Sequence, residues 1–386
     1  MDNHIYWDHP RPLDGKILGA KQFCNYSVLQ GSLQTPRLIM PCRIYGKPYM
    51  VTEFDFCYPN QFRSEGAPIF SAYAALQGWN GIFRFCYSGG KRRALDEVSI
   101  ESFDTANDTI RMLSERLGIA FFLRGDVAEA RECFVAGVPE NDHSSFWNDY
   151  PMILQELGFY GKVGSVSVKN GIASPLLPEN MKAFFALSNN ARIKSVSCKE
   201  FIGYEGGIEK YTRSGLPTGK QGKKFISSTG ELVADLAQRT FCAVTPRSEA
   251  VVVPKGRTIG SKVLTVKAND TFCTARAIAV DHKVLSESGR ILLLHLTDVC
   301  MENLTFSSGD KRIVTHWTKG QLLARRGTAD FTLTLSPGKW KLYALQSTGK
   351  RLKEIPFAYK NGKINFKAQT GMFKGEAVFA YELIRQ

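Results

Sequence analysis

Apolar positions in the first hundred residues fall into short runs bounded by turn-forming residues. Three of these runs predict β-strands, at His4–Trp7, Lys47–Phe54 and Gly81–Tyr87. Between the second and third runs, Ser71–Gln77 is small and apolar on all sides, which predicts a helix packed on a parallel sheet. The alternation of strands with helical segments favours an α/β arrangement over a sandwich in this part of the chain.

The middle of the chain mixes the two patterns. Asp108–Leu117 predicts a helix, and the apolar run Ile119–Leu123 after it predicts a strand. The segments Trp147–Leu157 and Pro178–Leu187 predict two further helices. Residues 203–230 are rich in Gly, Lys and Ser and predict an exposed loop or linker.

From about residue 231 the pattern changes to short strands separated by turns, which predicts an antiparallel β-sandwich. The predicted strands are Glu249–Val253, Lys262–Lys267, Ala275–Val280, Arg290–Leu296, Phe331–Leu335, Trp340–Leu345, Lys363–Ala368 and Ala377–Leu383. The sequence therefore predicts three regions: residues 1–100 with parallel strands and helices, an α/β connecting region at 101–230, and a β-sandwich domain at 231–386.

Composition places the chain among globular proteins, and it predicts no metal, cofactor or membrane partner. Of its 386 residues, 44% are hydrophobic and 22% are charged. No apolar stretch has the length of a membrane helix, and the first residues lack the pattern of a signal peptide. The nine cysteines include no C-x-x-C pair, and His143, His282 and His316 are isolated, which argues against a zinc site or a disulfide framework. Free thiols fit a reducing compartment, although secretion stays open.

The net charge of +14 raises the question of an anionic partner. The basic residues are spread along the chain, and the densest clusters, Lys91–Arg93, Lys220–Lys224 and Lys350–Lys353, lie beside or near glycine as solvated turns do. No recognition motif accompanies them, so nucleic acid is not the expected partner. Binding to another anionic polymer stays as an alternative, and it predicts an affinity that falls steeply with salt.

The segment Gly46–Glu65 contains the candidate catalytic residue. In it, Glu53 ends the predicted strand and leads into an aromatic loop that contains Pro59. The ends of parallel strands are where (β/α)8 barrels hold their working carboxylates. A carboxylate at this point of the pattern is therefore a candidate catalytic group.

Together with Asn3–Pro10 upstream and Gln77–Tyr87 downstream, this segment resembles the clan of retaining glycoside hydrolases that contains cellulases, β-galactosidases and β-mannosidases. Within the clan it is most similar to enzymes of the β-galactosidase and agarase type. The resemblance implies that the chain holds the C-terminal portion of a (β/α)8 barrel. His4–Tyr6 then corresponds to barrel strand six, the strand of Glu53 to strand seven, and Gly81–Tyr87 to strand eight.

The resemblance also implies the roles of individual residues. Glu53 takes the position of the catalytic nucleophile, while the acid/base glutamate of the family lies at the end of strand four, which this sequence does not include. His4 and Tyr6 would contact the sugar or the nucleophile, with a frayed N-terminus as the alternative. Tyr87 would stack on the sugar or belong to the core, and Asn60 would bind a sugar hydroxyl or cap the following helix.

Glu65 is a poor substitute for the absent acid/base group, and the sequence favours a role at the start of a helix or as a partner of an arginine. The expected activity is retaining hydrolysis of a β-glycosidic bond in an oligo- or polysaccharide, without a cofactor. A chain with one carboxylate is expected to be incomplete by itself and to need a separate chain carrying the other barrel half. The alternative is a non-catalytic carbohydrate-binding or assembly protein.

Overall fold

A computed structural model of the chain describes residues 1–15, 19–95, 100–139, 150, 152–170, 172–186, 200–202, 223–267, 269–318, 320–373 and 375–386. In these residues, parallel sheets accompanied by helices precede a larger antiparallel part. The expected combination of an α/β part with an all-β part is therefore confirmed at the level of fold class.

The described helices are short and lie in the first half of the chain. They are α1 Gln34–Arg37, α2 Gly66–Leu76, α3 Lys91–Leu95, α4 Thr109–Gly118 and α5 Met152–Leu157, with 3-10 turns at Met40–Cys42 and Arg63–Glu65 and a π-helical turn at Ile119–Leu123.

Strands dominate the rest of the described chain. They are β1 Asp2–Trp7, β2 Arg11–Pro12, β3 Lys21–Gln22, β4 Met50–Phe56, β5 Gly81–Arg84, β6 Cys133–Pro139, β7 Lys162–Lys169, β8 Ile172–Ala173, β9 Met181–Ala186, β10 Glu200–Ile202, β11 Lys224–Ile226, β12 Leu232–Asp235, β13 Thr240–Val244, β14 Ser248–Val253, β15 Ile259–Gly260, β16 Leu264–Lys267, β17 Cys273–Ala279, β18 Arg290–Leu296, β19 Val299–Met301, β20 Thr305–Phe306, β21 Ile313–His316, β22 Leu322–Ala324, β23 Thr328–Thr334, β24 Trp340–Leu345, β25 Arg351–Glu354, β26 Ala358–Lys360, β27 Lys363–Gln369, β28 Met372–Phe373, β29 Glu376–Ala377 and β30 Ala380–Arg385.

The first sheet has the order β1-β4-β5, and all three strands are parallel. Helix α2 covers one face of this sheet, where Phe54 of β4 stacks on Phe70 with 4.0 Å between the ring centroids. The helix starts close to the sheet because Gly66 has no side chain, and a Cβ atom there would collide with the ring of Phe56. Strands β1 and β5 are the edges of this sheet, since no other described strand pairs with either one in it.

A second sheet has the order β10-β9-β6-β7-β8, in which only β8 runs antiparallel to its neighbour. Strand β9 replaces the helix predicted at Pro178–Leu187, so that prediction is wrong for the described residues up to 186. The consecutive residues Ala183, Phe184 and Phe185 are all buried. A strand buried on both faces gives a continuous apolar run, which periodicity does not separate from a buried helix.

The strand predicted at Ile119–Leu123 is also wrong, because these residues form a π-helical turn that continues α4. Gly118 does not end the helix, as its backbone angles of φ −54° and ψ −45° are helical. The predicted helix at Asp108–Leu117 is confirmed, and its Asp108 side chain accepts hydrogen bonds from the first-turn amides of Ile110 and Arg111.

Two of the other predicted segments extend beyond the described residues. Of the helix predicted at Trp147–Leu157, α5 confirms the part from Met152 onward, while residues 147–149 and 151 lie outside the described residues. Of the predicted linker at 203–230, residues 203–222 lie outside them, and β11 occupies part of the remainder.

The C-terminal part contains a nine-stranded antiparallel sheet, β11-β12-β13-β14-β17-β18-β30-β24-β25, and a five-stranded one, β15-β16-β23-β27-β26. Each of the eight segments predicted as strands beyond residue 231 contains one. The two sheets share a hydrophobic cluster that includes Val251 and Leu293 of the larger sheet and Phe331 and Ile364 of the smaller one. Alternation along the strands thus directs apolar side chains toward a common core.

Hydrophobic packing is continuous between the parallel and antiparallel parts. One cluster contains Trp7 of β1, Phe134 of β6 and Phe241 of β13, which belong to the three regions expected from the sequence. These regions therefore share a core in addition to any core of their own.

Candidate active site

Glu53 is the fourth residue of the seven in β4, and the strand continues beyond it to Phe56. The prediction that Glu53 ends its strand is therefore wrong. The residues that follow extend the parallel pairing with β1, since Phe54 pairs with Ile5 and Asp55 pairs with Tyr6. Because side chains alternate along a strand, Glu53 points away from Phe54 and hence away from helix α2.

Two side chains of β1 contact the Glu53 carboxylate. The Tyr6 hydroxyl donates a hydrogen bond to Glu53 Oε2, and His4 Nδ1 lies 3.4 Å from the same oxygen. His4 is the strand neighbour of Glu53 in the parallel register. The structure thus brings together three of the residues selected from the sequence. His4 and Tyr6 lie within strand β1, Asp2–Trp7, and do not belong to a frayed N-terminus.

The carboxylate is partly open to solvent, as 31% of the Glu53 side chain is exposed. Burial and the hydrogen bond to Glu53 raise the pKa of Tyr6 above its usual value, so the phenol keeps its proton and acts as a donor. A hydrogen bond from a neutral donor orients a carboxylate and leaves its charge and its second oxygen free for chemistry. Glu53 is therefore arranged as a carboxylate that can meet a ligand from the open side of the sheet.

Aromatic rings surround Tyr6 on this side. His9 and Phe103 lie with their ring centroids 5.2 and 5.3 Å from that of Tyr6, and Phe85 lies 6.2 Å away. Phe85 and Phe103 also contact each other, at 5.6 Å. The sequence did not single out His9 or Phe103, because Phe103 reaches the site from a loop nearly fifty residues beyond β4 and no local pattern marks it.

Tyr87 is 64% exposed and follows β5 by three residues. Its backbone carbonyl accepts hydrogen bonds from the amides of Thr105 and Ala106, which fixes the main chain while the ring faces solvent. The structure leaves this ring available to a ligand. Trp79, in contrast, is buried against Tyr49 and belongs to the core.

Asn60 does not fit the expected contact with a sugar, because its side chain is completely buried. Its amide group donates to Asp8 Oδ2 at 2.9 Å and to the carbonyl of Tyr26 at 3.0 Å, while its oxygen accepts from the Phe62 amide at 2.7 Å. The bond to Phe62 closes a turn before the 3-10 turn Arg63–Glu65, and Asn60 caps neither that turn nor helix α2, so the alternative capping role is wrong too. Asn60 thus fixes the loop after β4.

A buried ion pair lies two residues after Glu53. Asp55 is completely buried and accepts hydrogen bonds from Arg84 and, at 2.5 Å, from Arg111. Burial raises the pKa of Asp55 to about 6 despite the two arginines, which act in the opposite direction. Because both oxygens are engaged, Asp55 supports β4 from beneath the site.

This ion pair belongs to a longer chain of alternating arginines and carboxylates. From one end to the other its members are Glu115, Arg84, Asp55, Arg111, Asp108, Arg63, Asp298 and Arg325. Although burial acts to raise the pKa of Asp108, Arg63 and Arg111 hold it at about 2. The sequence offers no signal for this network, since its members are up to 270 residues apart and are brought together by the fold.

Glu65 is also completely buried, directly before α2. It accepts hydrogen bonds from the Ser27 hydroxyl at 2.7 Å and from the Val28 amide at 2.6 Å. Burial raises the pKa of Glu65 to about 8, in spite of these two donors. The expected position at a helix start is confirmed, whereas no ion pair of the described residues joins Glu65 to an arginine.

A cavity of about 570 Å³ lies away from Glu53, between the start of β1 and the ends of β6 and β7. Its lining includes Asn3, Tyr45, Tyr150, Ser165 and Leu176. Glu53 is not among the residues that line it. The candidate site is therefore an open surface of the first sheet and is separate from this cavity.

Within the described part of the chain, no group of three or more His, Cys, Asp or Glu side chains could hold a metal ion. The eight cysteines that belong to this part are free thiols. None of its helices combines the length and the apolar character needed to cross a membrane.

Comparison with the sequence profiles of known protein families gave no match, and comparison with curated proteins gave none either.

Proposed function

We propose that this chain carries the nucleophile half of a retaining β-glycosidase site, with Glu53 as the attacking carboxylate. The observation that carries the proposal is the pair of contacts that Tyr6 and His4 make to one oxygen of Glu53 across two parallel strands. A retaining glycosidase needs a carboxylate that is oriented, ionised and open on one side. The partial exposure of Glu53 and its neutral tyrosine donor suit that role.

In the proposed fold, β1, β4 and β5 are strands six, seven and eight of a (β/α)8 barrel. The parallel order of these strands and the helix α2 between β4 and β5 support the proposal. The nine-stranded and five-stranded sheets would form the β-sandwich expected at the C-terminus, supported by their common hydrophobic cluster. The sheet β10-β9-β6-β7-β8 would be the α/β connecting region.

The acid/base carboxylate would come from the remaining barrel strands, carried by a separate chain or by another segment of a longer protein. Asp55 is unsuited to the role because two arginines occupy its buried carboxylate. Among the described strands, none pairs with the outer edges of β1 and β5 in this sheet, which supports a partner because unpaired strand edges present backbone groups ready for pairing. Two exposed side chains would be covered by it: Phe83 of β5, which is 53% exposed, and Leu123, which is 75% exposed and borders a small cavity with Ile82 and Arg84 of β5.

The test uses leaving groups that need no proton. A 2-deoxy-2-fluoro-β-glycosyl fluoride requires only the nucleophile, because the C1–F bond breaks with release of fluoride as a Glu53 oxygen bonds to C1. We expect the purified chain to gain the mass of one fluorosugar from at least one member of a panel of glucosyl, galactosyl, mannosyl and xylosyl fluorides. Peptide mass spectrometry should place the added mass on Glu53.

The control is Glu53→Gln, which keeps the shape of the side chain and removes its charge, and it should gain no mass. Labelling of another residue, or none with any of the four sugars, would contradict the proposal. Rapid hydrolysis of aryl β-glycosides by the chain alone, abolished by Glu53→Gln, would support the nucleophile and refute the need for a partner. Saturable polysaccharide binding that survives Glu53→Ala, without labelling, would instead favour the non-catalytic carbohydrate-binding protein.

A further inference from the structure

The outward face of the five-stranded sheet concentrates positive charge. On β27, Lys363 and Lys367 are exposed while the residues between them alternate, with Ile364 and Phe366 buried and Asn365 exposed. The register extends this face onto the neighbouring strands. Its members, hereafter the lysine face, are Lys267, Lys360, Lys363, Lys367, Thr265, Thr332, Thr334, Asn365 and Asp330.

The four lysines of this face have no carboxylate partner. None of the ion pairs of the described residues includes any of them. Asp330, the only acidic residue in the five strands, is the cross-strand neighbour of both Lys267 and Lys367, so the face keeps an excess of positive charge. Lys360 and Lys363 are direct cross-strand neighbours, an arrangement of like charges that costs stability. A group of exposed cations with a single acidic neighbour is complementary to an anionic ligand.

The lysines lie on both sides of a row of uncharged polar groups. That row crosses the sheet through Thr265, Thr332 and Asn365, which are paired in register. On one side lie Lys267 and Lys367, and on the other Lys363 and Lys360. Because residues two apart on a strand are separated by about 7 Å, the two charged rows are about 13 Å apart.

We propose that the lysine face binds a linear polysaccharide that carries carboxylate or sulfate groups. The sugar chain would lie along the central row, where Thr265, Thr332 and Asn365 offer hydroxyl and amide groups to its hydroxyls. Its acidic groups would then reach lysines on either side. The proposal does not depend on the assignment of Glu53, and it would give the chain an anchor on an acidic polymer.

The same observations disfavour a nucleic acid as the ligand. Binding to single strands uses aromatic side chains on which bases stack, and the outward positions of these five strands contain none. Tyr359 pairs with the inward-facing Ile364 and so belongs to the opposite side of the sheet.

The experiment measures binding of the whole chain to polygalacturonate, alginate and carrageenan, by affinity electrophoresis and by calorimetry at 50 and 200 mM NaCl. An uncharged xylan and a DNA duplex are the comparison ligands. We expect binding to at least one acidic polysaccharide, weaker at the higher salt, and stronger than binding to either comparison ligand.

The double variant Lys363→Gln/Lys367→Gln should weaken this binding about tenfold, because it removes two exposed ion pairs with the ligand. Its matched control is Lys223→Gln/Lys224→Gln, which removes the same charge from exposed positions at the start of β11 in the other sheet and should change binding less than twofold. Thermal unfolding of both variants checks that they are folded, as expected for exposed positions.

Three results would overturn the proposal. One is the absence of binding to all three acidic polysaccharides at 50 mM NaCl. Another is an equal loss of affinity in the two double variants, which would make binding a property of net charge. The third is tighter binding to the DNA duplex, which would identify a general polyanion surface. Failure here would leave labelling of Glu53 unaffected, so the two proposals are tested separately.

Discussion

Replacing Glu65 with glutamine tests the electrostatics of the core without disturbing its shape. Glu65 is completely buried, and its partners are the Ser27 hydroxyl and the Val28 amide. The glutamine oxygen can accept from the Val28 amide, and its NH₂ group can donate to the serine oxygen. The substitution therefore preserves the hydrogen bonds and removes the possibility of a buried negative charge.

The magnitude follows from the two protonation equilibria. In the folded chain Glu65 keeps its proton up to about pH 8, whereas in the unfolded chain it loses it near its usual pKa of 4.5. The folded state is thus favoured below pH 4.5, and this advantage is lost progressively as the pH rises to 8. At 1.36 kcal/mol per pKa unit, the loss is at most about 5 kcal/mol.

We therefore expect Glu65→Gln to match the wild type in free energy of unfolding near pH 4.5 and to exceed it by about 3 to 5 kcal/mol at pH 8.5. The assay is urea unfolding followed by tryptophan fluorescence at several pH values, with both proteins compared at each pH. Glu354→Gln, at a side chain that is 57% exposed, is the matched control and should show no such trend. A difference between wild type and Glu65→Gln that stays constant or shrinks as the pH rises would refute the reasoning.

Two further substitutions test the ion network and the candidate site. Arg63→Met leaves Asp108 and Asp298 buried without their common partner and should lower the free energy of unfolding by about 3 to 5 kcal/mol, measured in urea. Tyr6→Phe removes the hydrogen-bond donor to Glu53. Labelling by a fluorosugar should slow about 10- to 100-fold, which corresponds to the free energy of a hydrogen bond to a charged group. Time-resolved mass spectrometry measures the rate.

Each of these predictions has a matched control. Arg351→Met breaks a more exposed pair with Glu382 and should change the free energy of unfolding far less than Arg63→Met does. Tyr87→Phe removes the hydroxyl of an exposed tyrosine near the same site and should leave labelling of Glu53 unchanged. Equal effects in Arg63→Met and Arg351→Met, or in Tyr6→Phe and Tyr87→Phe, would contradict the roles described for Arg63 and Tyr6.

The local pattern of apolar and polar residues was sufficient to predict most of the strands. It failed where the same pattern is compatible with both a helix and a strand. The run around Phe184 and Phe185 was predicted as a helix because a short, wholly apolar segment has no period, and only its neighbours β6 and β10 make it a strand. After Leu117 the sequence predicted a change from helix to strand, yet Gly118 adopts helical angles and the chain continues into a π-helical turn.

The candidate site was found in part. Glu53, His4 and Tyr6 were chosen because their motifs resemble those of retaining glycoside hydrolases, and the parallel register between β1 and β4 brings them together. Asn60 was misjudged because its partners, Asp8 and Tyr26, approach it only in the folded chain. The arginines that hold Asp55 could not be chosen from sequence, since many arginines were available and only the fold selects Arg84 and Arg111.

The network of alternating arginines and carboxylates also determines what happens when the chain is cut between its parallel and antiparallel parts. Asp298 and Arg325 come from the antiparallel part, while Asp55 and Arg84 belong to the first sheet. A cut between these two parts would break the ion pair of Arg63 with Asp298, although each piece would keep equal numbers of arginines and carboxylates from the network. Fragments produced by proteolysis between the two parts should therefore stay associated and unfold together, because the ion pair and the shared hydrophobic cluster join them.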